Sequence, residues 1–176
     1  MVFVGIFIAT LLVDCSFLSE QINDSATVAG IVAVFFSLGC MAGELAYSAL
    51  KRLLKSFSQT LFLAVCAVGI AASGFASTIA VLCVMIFIAG MGFSLTQSDC
   101  MMILSLKAGQ NKIALVSAIM MALFNLVIFL SSSYEEIIGK LSGDSLYLPL
   151  YIGAIVLIVF AIASLILSVL RRKVEA

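Results

Sequence analysis

Apolar runs of about 20 residues, separated by short polar links, follow one another along nearly the whole chain. They fall near Val2 to Ser19, Val28 to Leu50, Ser58 to Ala76, Ile79 to Leu104, Ile113 to Tyr134 and Leu148 to Leu170. Each run, wound as a helix, is long enough to cross ~30 Å of hydrocarbon, and a helix satisfies its own backbone hydrogen bonds where water is absent. Strand-like alternation is weak, which argues against a membrane barrel. The pattern predicts an all-α protein, a single bundle of six transmembrane helices occupying residues 1–176.

The polar positions inside these runs are not scattered. In the second run Gly30, Ser37, Glu44 and Ser48 share one helical face, and in the fourth Gly90, Ser94 and Gln97 do so at offsets of four and three. Ser117, Asn125 and Ser132 line up around Met121 in the fifth, and Thr10 precedes Asp14 by one turn in the first. The third and sixth runs hold little beyond Ser73, Ser77, Ser164 and Ser168. Runs one, two, four and five are therefore expected to line a cavity, and three and six to face lipid. Small residues also permit close helix approach, and Gly39-Cys40-Met41-Ala42-Gly43 is a Gly-x-x-x-Gly packing pattern.

Three acidic residues fall in or at the ends of the runs: Asp14, Glu44 and Asp99. A charge at the bilayer centre costs roughly 3 kcal/mol on insertion scales, so such residues face a bundle interior or a wet cavity. Asp14 lies roughly 20 Å along its helix and is the candidate for proton coupling or cation binding. Glu44 and Asp99 are expected near the cytoplasmic ends of their helices, within snorkelling reach of Lys51, Arg52 or Lys107, as interfacial ion pairs or a hydrated gate.

Composition removes the soluble alternative. The chain is 64% hydrophobic and 10% charged, with a mean hydropathy of +1.31, whereas soluble domains carry about 25% charged residues. With zero net charge and no long basic tract, nothing points to a nucleic-acid partner, and none is expected. Charge reports orientation instead. Lys51, Arg52, Lys55, Lys107, Lys112, Arg171, Arg172 and Lys173 sit on alternate links, and of the nine basic residues only Lys140 falls among the opposing Glu20, Asp24, Glu135, Glu136 and Asp144. The positive-inside rule then places both termini in the cytoplasm, as expected of a multi-pass plasma-membrane protein. Cys15, Cys40, Cys66, Cys83 and Cys100 stand singly, without metal-site or disulfide spacing, and read as small packing residues. With no histidine, zinc-dependent and Ser-His intramembrane hydrolysis lack a required group, so neither enzyme, metal nor cofactor is expected. Met1-Val2-Phe3-Val4 opens directly on apolar residues without the charged stretch and cleavage site of a secretory signal, as if the chain were cut at an internal methionine.

The second run ends Gly39-Cys40-Met41-Ala42-Gly43-Glu44-Leu45-Ala46, with Lys51 and Arg52 just beyond. This resembles the glycine-leucine-basic signature after the second helix of each half of major facilitator superfamily transporters, with Tyr47 where that family has an aspartate and Leu50 where it has a glycine. Gly90-Met91-Gly92-Phe93-Ser94 is similar to the family's glycine-rich tenth helix, and Asn125 with Phe129-Leu130-Ser131 to its eleventh. The resemblance covers all 176 residues and implies the C-terminal six-helix half of a transporter of about twelve spans. Such a half is a three-plus-three inverted repeat, with substrate bound near the midplane; the recurrence of Ile6-Phe7-Ile8-Ala9 as Ile86-Phe87-Ile88-Ala89 is compatible with it.

The implied activity is secondary active transport of a small organic solute or drug-like compound, proton-coupled and by alternating access. Its partners would be the solute, the lipid bilayer and a missing N-terminal six-helix half. Asp14, Thr10, Ser94, Gln97, Ser117 and Asn125 are the substrate or proton-coupling candidates, and Gly39, Gly43, Glu44, Lys51, Arg52 and Asp99 the helix-packing and cytoplasmic-gate candidates. The competing expectations are a complete six-helix protein that homodimerises as a half-transporter or pore, and an inactive transporter fragment.

Overall fold

The computed structural model of the chain describes residues 5, 7–12, 27–54, 57–109, 112–142 and 147–175, and the regular elements among them are helical. Helix α1 is described over residues 7–12. It is followed by α2 (Thr27–Leu54), α3 (Ser58–Ser73), α4 (Ile79–Ala108), α5 (Ile113–Ser142) and α6 (Tyr147–Glu175).

Among the described residues four segments are long and apolar enough to cross a membrane: Gly30–Leu54, Ile79–Ala108, Ile113–Ser131 and Tyr151–Val169. The described helices suit a helical membrane protein, and four of the six spans expected from the pattern meet this criterion. The first falls mostly outside the described residues. The third is a shorter apolar helix of 16 residues, roughly 24 Å long against the ~30 Å of hydrocarbon. It stops before the expected Ala76 because Gly74 closes it. The Phe75 and Ala76 amides turn back to Ala72 O and Ser73 O at 3.1 and 3.2 Å, and Thr78, extended at φ −138°, starts α4 by accepting a hydrogen bond from the Val81 amide. Other helices run longer than expected. α2 and α4 each continue four residues past the predicted ends, and α5 carries on through Glu135 and Glu136, where no breaker interrupts it. Pro149 sits in the first turn of α6, where its missing amide hydrogen has no intrahelical partner to lose.

In lipid, apolar surface gains nothing by turning away from its surroundings, so helix association rests on close packing and hydrogen bonds. α4 is packed accordingly, with small residues on two sides. Toward α2, a methyl added at Gly90 would collide with the Phe36 carbonyl, one at Gly39 with the Phe87 carbonyl and one at Gly43 with Ser94. Toward α3, a methyl at Gly92 would collide with the Cys66 backbone, and one at Gly69 with that of Ala89. α3 buries Phe62, Cys66, Ala67 and Ile70 and exposes Leu61 and Val68. The helix expected to be outermost is thus enclosed on one side. α6 covers α3, with Thr60 donating to Ser164 at 3.2 Å, and presents Ile155, Ile158, Ile162 and Ile166 outward. α5 is the least enclosed helix. It meets α4 through the ring row Phe36–Phe93–Phe124, with centroid spacings of 6.1 and 5.8 Å, while Leu115, Ile119, Leu126 and Phe129 are exposed. Phe7 of α1 packs edge-on to Tyr134 at 5.7 Å.

Candidate functional site

α2 and α4 run parallel, since contacts advance in the same direction along both: Gly39 with Phe87, Gly43 with Met91, Glu44 with Ser98, Tyr47 with Asp99. Close approach at the glycines brings two carboxylates into the same seam, with opposite surroundings.

Asp99 is 1% exposed and ion-paired through one oxygen to Lys51, one helix away. The Tyr47 hydroxyl donates to that oxygen at 3.1 Å, and Lys51 also donates to Ser58 Oγ, at the start of α3, at 2.8 Å. One ammonium thus ties α2, α3 and α4 together. Asp99 Oδ2 is buried and has no hydrogen-bond partner among the described residues. Tyr47, which replaces the aspartate of the resembled signature, is here a donor to a carboxylate supplied by α4. Arg52 is exposed and stands outside the cluster.

Glu44 is exposed. Ser98 Oγ lies 2.8 and 2.9 Å from its two carboxylate oxygens, and no described cation forms an ion pair with it. α2 reaches Leu54, so Glu44 lies about ten residues before the helix end, roughly 15 Å by helical rise. Gly30, Ser37 and Ser48, the rest of its stripe, are exposed as well.

A pocket opens between α4 and α5. Gly5, along with Gln97 and Met101 of α4 and Ser117, Met120 and Phe124 of α5, contributes to its wall, around an empty volume of about 530 Å³ that is partly open to the outside. Two sequence-predicted residues, Gln97 and Ser117, meet here. Two others do not. Ser94 is buried in the α2–α4 seam beside Gly43, its hydroxyl donating to Met91 O at 3.2 Å, because position 94 lands on the glycine-faced side of α4. Asn125 is exposed, and its amide donates to Met121 O of its own helix at 3.0 Å. Thr10 is buried in α1, and Asp14 lies outside the described residues.

Sequence reasoning missed Ser98 and the roles of Tyr47 and Ser58. Ser98 was within reach of it, standing one helical turn after Ser94. Tyr47 and Ser58 carried no periodic signal, because each acts across helices.

The described residues contain no group of three or more His, Cys, Asp or Glu side chains that could hold a metal ion. What they offer is a carboxylate with one hydroxyl donor, an amide and a second hydroxyl nearby, and a deformable wall of methionine and phenylalanine. That set suits reversible binding of a small organic molecule. No protein-family model, curated protein or solved structure matches the chain.

Proposed function

We propose that this chain is one six-helix half of a secondary active transporter for a small organic solute or drug-like compound, driven by protons and working by alternating access. The observation that supports it is the placement of polar groups. Glu44, Gln97, Ser98 and Ser117 lie on accessible sides of α2, α4 and α5, within helices otherwise dressed for lipid, and a carboxylate in such a helix calls for water or a polar partner. A second six-helix bundle across that open side would complete a solute cavity near the midplane. The resemblance around Gly39 to Ala46 and Gly90 to Ser94 supports the same reading, with both termini in the cytoplasm of a plasma-membrane protein.

In this mechanism the bundle moves as a body. The Lys51 cluster would hold the cytoplasmic ends of α2, α3 and α4 together while the cavity rocks, and Asp14 would carry the coupling proton. Uptake into proteoliposomes that hold the chain together with the proposed second half, under an imposed proton gradient, tests the proposal. Asp14→Asn should insert normally and lose pH-dependent uptake, and retained pH-dependent uptake would sink the coupling role. A homodimer built across the same open side is the second reading, favoured by the exposed Gly30-Ser37-Glu44-Ser48 stripe. Spontaneous disulfide cross-linking of Ser37→Cys between two copies of the chain would favour it over a distinct partner half.

A further inference from the structure

We infer that the open side of α2 and α4 binds a lipophilic organic cation, with Glu44 as its counter-charge and the methionine-phenylalanine pocket as the seat of its apolar body. The inference rests on the transport reading for its purpose, but not for the binding itself.

Three observations converge on it. First, the seam treats its two carboxylates unequally. Asp99 already has a protein cation in Lys51, whereas among the described residues Glu44 accepts from Ser98 alone. A hydroxyl has one proton, so Ser98 can satisfy one Glu44 oxygen at a time, and an ionised carboxylate has acceptor capacity for several more donors. Second, α4 carries both the hydroxyl that meets the carboxylate and part of the pocket wall. Ser98, which holds Glu44, and Gln97, which lines the pocket, are consecutive on α4, and Met101 follows Ser98 by one turn toward the pocket. Seated against Met101, Met120 and Phe124, the cation would extend along α4 past Ser98 to the carboxylate. Third, the wall chemistry fits a large soft cation. Thioethers are polarizable and conform to irregular shapes, an aromatic face attracts positive charge, and none of the described residues lining the pocket is a cation that would repel one. An organic anion would meet Glu44 and no compensating charge. A neutral solute would leave Glu44 uncompensated.

The test is equilibrium binding of radiolabelled tetraphenylphosphonium to the purified chain in phosphatidylcholine nanodiscs. Saturable binding is expected, displaced by unlabelled tetraphenylphosphonium and not by tetraphenylborate, which has the same shape and the opposite charge. Glu44→Gln should weaken binding at least about tenfold, while Glu44→Asp should retain most of it and Glu136→Gln, far along α5, should leave it unchanged. Should Glu44→Gln fail to fold, Ser98→Ala supplies the second arm, with an expected loss of a few fold. The inference is overturned by equal binding to wild type and Glu44→Gln, by equal displacement with tetraphenylborate, or by absence of saturable binding to the wild-type chain. Proteoliposome uptake separates the two proposals. Binding without proton-driven uptake when both halves are present would strike the transport reading and leave the cation site standing. Proton-driven uptake of another solute, indifferent to Glu44→Gln, would strike the cation site and leave transport standing.

Discussion

Asp99 and Glu44 lie on one seam, at similar distances from the ends of parallel helices, yet Asp99 is enclosed by Lys51 and Tyr47 while Glu44 keeps one hydroxyl and an open side. The contrast shows how a membrane helix can host a carboxylate in two ways. One is to neutralise it with protein groups, which makes it a fastener. The other is to leave it facing outward, which makes sense only where something other than lipid arrives. Residue type and depth do not separate the two cases; the neighbours do.

The sharpest way to break the comparison is Lys51→Met, which strands Asp99 buried without its cation. Removing one partner of a buried pair costs about 3–5 kcal/mol, so thermal unfolding in detergent should show the largest loss of the variants considered, and much of it should return when Asp99→Leu is added. Next comes the close approach that creates the seam. Gly43→Val or Gly90→Val forces α2 from α4 and should cost about 1–3 kcal/mol, whereas Gly30→Ala, with open space around it, should leave the unfolding midpoint within the noise. Tyr47→Phe removes a donor to the buried carboxylate and is expected to cost roughly 1.5 kcal/mol, read in the same assay. The smallest stability effect belongs to the open carboxylate. Ser98→Ala should change unfolding by less than about 1 kcal/mol, and a loss comparable to that of Lys51→Met would erase the distinction between fastener and open site.

Much of the helical layout was legible in the chain. The apolar runs became helices, and the stripe Gly30, Ser37, Glu44, Ser48 emerged on one exposed side of α2, because helical period alone determines which residues share a face. Period does not say what faces that side. The two carboxylates therefore looked alike in sequence, and Ser94 looked like a cavity residue when it abuts Gly43. Asn125 was assigned a shared polar face, but its amide is engaged by the preceding turn of its own helix, a local option that pattern cannot weigh. Helix ends were misjudged for a different reason. Hydropathy marks where apolar residues stop, whereas helix geometry continues through Glu135 and Glu136 until the backbone is interrupted, and at α3 the turn after Ser73 interrupts it early. The ammonium of Lys51 reaching Ser58 across the α2–α3 link is a three-dimensional coincidence that no periodicity announces.

Every part of that fastener, Lys51, Ser58 and Asp99, lies in the first two thirds of the chain, and so do the glycines at the α2–α4 and α3–α4 contacts. During synthesis these three helices can lock while α5 and α6 are still leaving the ribosome. Asp99 need not wait in hydrocarbon for a late partner, because its cation has already been made.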